Sequence, residues 1–178
     1  MKLVKTNFDQ LIIIKHKIFS DERGFFKEIF KKNDLERILG YNIDFCQENS
    51  VNSYKNVLRG LHFQKKPFSQ SKLISVSAGK IFDVVVDIRK NSKTYGQYFS
   101  KVLSAEKNES LFIPAGFAHG YLTLSENAII NYKVDNYYNK NMEDGISFDD
   151  EYLNIDWGLD KNKMILSKKD RNQKSYSW

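Results

Sequence analysis

Between residues 57 and 135 the chain keeps repeating one unit: a short run of alternating or β-branched apolar residues, ended by a turn signal. The runs are Val57–Gln64, Lys72–Ser77, Ile81–Arg89, one starting at Tyr95–Phe99, Leu111–Ile113, Tyr121–Ser125 and Ala128–Asp135. Between them lie Ala78-Gly79-Lys80 and Pro114-Ala115-Gly116, turn chemistry rather than helix chemistry. Such spacing predicts an all-β fold, a sandwich or barrel. Residues 9–19 read as an opening strand, 20–24 as a turn and 25–30 as a second strand. A short helix over 35–39 is capped by Asn33 or Asp34 and closed by Gly40. Polar residues over 44–53 sit in a strand-like setting, and 52–55 and 65–71 read as loops, the second holding Pro67. Beyond Gly145 the pattern loosens into a partly helical tail. No repeat, linker or low-complexity stretch divides the chain, so one domain over residues 1–178 is expected.

With 178 residues there is room for a full core, and 13 Phe and 10 Tyr suit strands. The formal charge of +6 raises nucleic-acid binding. Its lysines are scattered in pairs such as Lys31-Lys32, Lys65-Lys66 and Lys168-Lys169, which reads as a solvated surface. The same bias suits a small anionic ligand such as a nucleotide diphosphate. No stretch approaches the roughly 20 apolar residues of a membrane span. Leu11–Ile14 is too short for a signal peptide, and the one cysteine, Cys46, leaves no internal disulfide. A cytoplasmic protein, with neither membrane nor nucleic acid as partner, is expected.

Within Val57–Gln64, strand alternation puts Leu58, Gly60, His62 and Gln64 on one face and Arg59, Leu61 and Phe63 on the other. A histidine on an apolar strand is as often a satisfied core residue as a functional one. A second histidine, His119, follows on the Pro114/Gly116 turn. Pro114-x-Gly116-x-x-His119 resembles the second half of the cupin signature, which implies a jelly-roll barrel, a double-stranded β-helix with short peripheral helices. Where metal cupins offer two histidines at alternate positions, this chain has His62-Phe63-Gln64. Two imidazoles make a thin ligand set, so no metal is expected.

The resemblance sharpens along the chain. Arg59-Gly60-Leu61-His62-Phe63-Gln64, Lys72-Leu73, Asp83-Val84, Asp87-Ile88-Arg89, Ile113-Pro114, Gly116-Phe117-Ala118-His119-Gly120, Tyr132, Tyr138, Gly145-Ile146, Asp149-Asp150, Ile155-Asp156-Trp157, Leu166-Ser167 and Lys169-Asp170 occur in an order and spacing similar to the dTDP-4-dehydrorhamnose 3,5-epimerase family. The likeness runs from about Asp21 to Asp170.

That resemblance implies a cofactor-free isomerase acting on a nucleotide-linked 4-keto-6-deoxy sugar, in the synthesis of precursors for capsule or lipopolysaccharide. The ketone acidifies C3 and C5; a base removes a proton, and an acid returns one from the opposite face. His62 is implied as base, Asp170 as the carboxylate that orients it, Tyr132 as acid, and Lys72 as the cation beside the developing enolate oxygen. His119 and Asp83 are implied to complete the polar cluster. Arg23, Glu28, Gln47, Asn49, Arg59 and Lys169 match positions that contact sugar or diphosphate, Tyr138 matches the aromatic that stacks on the base, and Glu143 lies near an acid at the nucleotide end. The family also implies a homodimer with exchanged N-terminal strands, in which Arg23 and Glu28 reach the partner's site.

Singly, these residues read more plainly: Tyr132 as packing, Lys72 as solvated, Asp170 as surface, Glu143 and Asp144 as loop. Gln47-Glu48-Asn49 and Gln70-Ser71-Lys72 depart from the family's Gln-Asp-Asn and Gln-Gly-Lys, which leaves both a dTDP-hexose and a GDP-heptose open. The rival readings are a C3-only epimerase, a 3,4-ketoisomerase and a non-catalytic sugar-binding barrel.

Overall fold

The computed structural model describes residues 2–178. Its first strands are β1 (Lys2–Lys5), β2 (Ile12–Lys15), β3 (Ile18–Asp21) and β4 (Gly24–Lys27), followed by helix α1 (Lys32–Leu39). Then come β5 (Gln47–Tyr54), β6 (Leu58–Gln64), β7 (Lys72–Ala78), β8 (Lys80–Asp87) and β9 (Tyr98–Ser104). The last strands are β10 (Glu109–Ile113), β11 (Phe117–Thr123), β12 (Asn127–Val134) and β13 (Glu143–Gly145), before a 3-10 turn at Lys161–Lys163 and the one-turn helix α2 (Lys168–Arg171).

Two antiparallel sheets face each other. One has the order β1-β2-β10-β7-β12-β5, the other β13-β6-β11-β8-β9, and β3 pairs only with β4. From β5 to β8, and again from β9 to β12, the chain crosses from one sheet to the other at each step, and of these strands only β8 and β9 follow one another within a sheet, so the two sheets are wound together rather than built one after the other. This is the jelly-roll wrap that the cupin-like signature implied, within the sandwich or barrel that the short strands predicted. It has a consequence for chemistry: strands near in sequence form opposite walls, so their residues can face each other across the interior.

Three apolar layers follow from strand periodicity. Ile74, Val76, Ile81, Val85, Leu111, Ile113 and Ile130 fill the space between the sheets. Ile12, Ile14, Leu73 and Phe112 point out of the larger sheet and are covered by Leu35 of α1 and by Ile43. Leu58, Leu61, Val84, Val86, Ala118 and Leu122 point out of the smaller sheet beneath Ile146, Phe148, Leu153, Trp157 and Met164 of the tail. Being covered on both faces is why β8 is so evenly β-branched.

Several expected boundaries move. The run 9–19 is two strands, because β2 pairs with β10 and β1 while β3 leaves the sheet to pair with β4. The second strand stops at Lys27 rather than residue 30. Helix α1 begins before Asn33 and Asp34: Lys31 is its cap residue with no side-chain cap bond, and Asp34 pairs with Arg37 instead. Gly40 closes it as expected, at φ 76°. Residues 52–54 extend β5 because they pair with β12, and Glu143 and Asp144 form β13 on the edge of β6. His119 lies within β11, not on the turn before it.

The grouping of faces in β6 is also corrected. His119 pairs with His62 and Tyr121 with Arg59, so two steps along β11 match three along β6. One extra residue on a strand is a β-bulge, and it reverses the alternation beyond it. Leu58 and Leu61 therefore share the outer layer, while Arg59, His62 and Gln64 line the interior. The bulge sits at Gly60, φ 128°, where a Cβ would lie 2.5 Å from the Gly120 Cα. Gly60→Ala is therefore expected to add overpacking to backbone strain, about 2 to 6 kcal/mol in total. Gly24, at φ 127° with nothing within 4 Å of where a Cβ would stand, supplies the control. Gly24→Ala should cost only about 1 to 3 kcal/mol. Thermal melts of both variants measure the difference; equal losses would mean that the approach of Gly60 to Gly120 carries no weight.

Candidate active site

A cavity of about 300 Å³ opens between the sheets, on the scale of a sugar ring. The smaller sheet contributes Arg59, His62 and Gln64 from β6, and His119 and Tyr121 from β11. The larger contributes Val51 from β5, Lys72 from β7, and Ile130 and Tyr132 from β12. Ser167, Lys169 and Asp170 close one side from α2 and its cap, and Tyr138 and Glu143 stand at the mouth. The jelly-roll winding thus puts His62 on one wall and Lys72 and Tyr132 on the other.

His62 Nε2 lies 2.5 Å from Asp170 Oδ1. Ser167 caps α2 by accepting from the Asp170 N–H at 3.0 Å, and its hydroxyl donates to Asp170 Oδ2 at 2.9 Å. Both carboxylate oxygens are thereby fixed. Burial pushes the Asp170 carboxyl up, but His62, Ser167 and Lys169 outweigh it and hold the pKa below the usual range. Asp170 is an anion that tethers one imidazole nitrogen. With the Nε2 proton directed at Asp170, the Nδ1 lone pair is free to act as a base.

A second dyad lies directly beside the first. His119 Nε2 is 2.9 Å from Asp83 Oδ2, and Asp83 Oδ1 is buried with no hydrogen-bond partner in the protein. Lys72 reaches the same space without a carboxylate in ion-pair distance among the described residues. Desolvation pushes its ammonium down to about 8, against the pull of Asp83 and Glu143. Burial likewise raises the Tyr132 phenol, with Arg59 pulling it down and Glu143 pushing it up, so its proton is held at neutral pH. An anionic orienter, an imidazole, a protonated phenol opposite and a lone ammonium between walls are the parts needed for proton abstraction next to a carbonyl.

At the mouth, Glu143 pairs with Lys169 and accepts from the Tyr138 hydroxyl at 2.7 Å. Burial raises the Glu143 carboxyl, and Lys169, Tyr138 and His62 together pull it below its ordinary value. Tyr138 is 55% exposed, which leaves its ring open to stacking. Arg59 donates from Nε to Ser53 Oγ at 3.0 Å, and that hydroxyl lies 3.0 Å from the Tyr121 hydroxyl.

The cavity thus gathers His62, Lys72, Tyr132, Asp170, Arg59, His119, Tyr138, Glu143 and Lys169, with Asp83 behind His119. Four expected residues fall outside its lining. Gln47 and Asn49 lie on β5, the edge strand, bonded to each other at 2.8 Å; Asn49 pairs in register with Tyr132. Arg23, at the tip of the β3–β4 hairpin, pairs with its neighbour Asp21, and Glu28 is exposed just past that hairpin. Arg23 and Glu28 follow β3 and β4, which pair with each other outside the two sheets that form the cavity walls. Gln64, Gln70, Tyr121, Ser53 and Ser167 had no assigned role in the sequence. Ser167-x-x-Asp170 carries the capping-box spacing that could have found Ser167. Gln64 is spent on structure: its amide donates to the Phe68 and Tyr137 carbonyls and accepts from the Asn139 N–H. No three His, Cys, Asp or Glu side chains among the described residues converge as a metal-ligand set.

Comparison with known proteins gives the family. A family model described as dTDP-4-dehydrorhamnose 3,5-epimerase matches residues 5–177. The dTDP-4-dehydrorhamnose 3,5-epimerase of Escherichia coli (strain K12) is 45% identical over 170 residues, covering 96% of this chain and 91% of its own. A crystal structure of dTDP-6-deoxy-D-glucose-3,5-epimerase from Legionella pneumophila, in complex with dTDP-4-keto-L-rhamnose, superposes with a TM-score of 0.93 at 45% identity, over 98% of this chain and 92% of that one. A 3'-monoepimerase from Streptomyces bikiniensis, in complex with dTDP-quinovose, has a TM-score of 0.90 at 28% identity, over 96% and 85%. With the match spanning nearly the whole sequence and the opposed dyad, phenol and ammonium in one cavity, the chain belongs to the dTDP-4-dehydrorhamnose 3,5-epimerase family of nucleotide-sugar isomerases.

Proposed function

We propose that the protein inverts both C3 and C5 of a dTDP-linked 4-keto-6-deoxy hexose by proton exchange, in the cytoplasmic synthesis of an activated sugar for surface polysaccharide. The observation that carries the reading is the placing of His62 and Tyr132 on opposite walls of a ring-sized cavity, with Lys72 beside them. His62 Nδ1 takes the proton next to the ketone, and the electron pair moves onto the ketone oxygen to give an enolate. The Lys72 ammonium stabilises that oxygen, where charge appears only as the bond breaks. The Tyr132 hydroxyl then protonates the carbon from the other side, so the centre inverts. Asp170 stabilises the transient imidazolium and holds the ring still. Once solvent has taken the proton from His62 and returned one to the Tyr132 phenolate, repeating the cycle at the second carbon gives the doubly inverted product, with no net change in oxidation state.

Arg59 and Lys169 suit the diphosphate, the first by its fork of donors and the second as a point charge. Tyr138 suits the base as a stacking face. Arg23 and Glu28 are assigned to the cavity of a second copy. The support is the β3–β4 hairpin: Phe19, Phe25 and Phe26 are 49%, 66% and 63% exposed on a two-stranded ribbon, which is marginal alone. A homodimer that covers these rings and exchanges the hairpins would complete both sites.

Incubation in heavy water with dTDP- and GDP-linked 4-keto-6-deoxy sugars, followed by mass and NMR, tests the reading. Label at both C3 and C5 of the dTDP-hexose is the expected result. Label at C3 alone would point to a monoepimerase, a 3-keto product to a ketoisomerase, and binding without label to a sugar-binding barrel.

A further inference from the structure

Asp170 reaches His62 from an element that cannot hold itself in place. Helix α2 has four residues, far below the length at which a helix is stable alone. Its entry is tied to the strand that bears His62: Ile165 bridges Val57, with Ile165 N–H donating to the Asn56 carbonyl at 2.8 Å and Leu58 N–H donating to the Ile165 carbonyl at 3.0 Å. Its exit is tied by the segment 173–178, and there a buried charge appears that the catalytic reading does not use.

Asp150 is 2% exposed and has no cationic partner among the described residues. Its carboxylate accepts only N–H groups: Leu153 N at 3.0 Å and Trp178 Nε1 at 3.4 Å on Oδ1, and Tyr176 N at 2.9 Å on Oδ2. Two of the three come from the C-terminal segment. A buried carboxylate left short of donors is costly, so this one binds the segment firmly. The Trp178 ring stacks on Tyr152 at 5.1 Å and packs against Tyr176 at 4.6 Å and Tyr95 at 5.8 Å. Tyr176 in turn meets Phe63, the neighbour of His62, edge-on at 6.2 Å. Ser147 N–H donates to the Lys174 carbonyl at 2.9 Å between these anchors.

We propose that Asp150 and Trp178 are positioning residues: they clasp the C-terminal segment so that α2 delivers Asp170 to His62 and Lys169 to the cavity mouth. The role rests on the His62–Asp170 base assigned above. Neither clasp residue lines the cavity, so their effect on the reaction passes through α2. Releasing the clasp lets α2 drift, and displacement on the ångström scale costs up to about 100-fold in rate.

The test uses Trp178→Ala and Trp178→Phe in the full chain, with His62→Asn in parallel. Trp178→Ala is expected to lower kcat by about 10- to 100-fold. It should also move the acid limb of the pH profile to lower pH, because the carboxylate that stabilises the imidazolium has withdrawn. Trp178→Phe keeps the ring pile and should restore most of the rate and the position of the limb. If Trp178→Ala does not fold, Trp178→Leu, which refills the space without ring stacking or an N–H, takes its place with the same expectations. A variant that melts earlier yet keeps the wild-type kcat and limb would overturn the proposal, as would a rate loss with an unmoved limb and no rescue by Phe. If His62→Asn still exchanges label, the base assignment falls and the clasp with it. If His62→Asn is dead while Trp178→Ala is unchanged, the clasp alone falls.

Discussion

His62→Asn is expected to stop solvent deuterium from entering both C3 and C5 of the product, with turnover reduced on the order of 10⁴-fold, the upper range for loss of a general base. Asparagine preserves a hydrogen bond to Asp170 and roughly the volume of the ring, so the fold should survive. It has no lone pair able to take a carbon-bound proton. Loss at both carbons together is the informative part. His119 is the other imidazole at the cavity, tethered through Nε2 to Asp83 as His62 is to Asp170, but its side chain is 9% exposed against 28% for His62. It is therefore a poor second base. Label persisting at one carbon would show that the two inversions use different bases.

Lys72→Met should lower kcat/KM by about 10²- to 10³-fold, the usual cost of losing one preorganised charge at a developing oxyanion. Thermal stability at neutral pH should stay level or rise. The two outcomes separate because the ammonium of half-buried Lys72 is desolvated without a paired carboxylate. Its folded pKa of about 8 lies below the unfolded value of 10.5, so between these pH values the unfolded chain holds more protons. The sign follows: the charged lysine costs stability in full below about 8, and the cost is relieved as pH rises through that window. For activity the direction is opposite. The wild-type kcat/KM should fall as pH rises through about 8, while the Tyr132 phenol, raised by burial, keeps its proton there. The residual activity of Lys72→Met should lack that basic limb. Retention of the limb in Lys72→Met would assign it to another group. A site that accepts instability to keep a charge is the ordinary trade of stability for function.

The barrel is legible in the sequence because its cause is local. Alternating apolar runs such as Lys72–Ser77 and the β-branched run of β8 report directly which faces are covered. The candidate catalytic residues are legible through the family resemblance that many motifs in series carry, and His62, Lys72, Tyr132 and Asp170 do share one cavity. Asp170 shows what local reading misses. Within Lys168-Lys169-Asp170-Arg171 it looks like surface charge, yet it is 3% exposed, because its partner lies 108 residues earlier. The face of Arg59 escapes simple alternation for a different reason: a single bulged residue at Gly60 reverses the pattern, and a glycine inside a strand is its one local mark. Arg23, Glu28, Gln47 and Asn49 match family positions but stand off the cavity lining of one chain. A sequence motif reports a residue's chemistry but not where the fold places it.

A base and an acid on opposite faces of one ring are tested most directly by Tyr132→Phe in heavy water. Removing only the hydroxyl should leave His62 to abstract and return a proton on its own face. Label should wash into the substrate at near the wild-type rate while formation of inverted product falls by about 10²- to 10⁴-fold. Wild-type turnover with the wild-type product mixture from the Phe variant would contradict it, and would leave the far-side proton to come from somewhere other than residue 132.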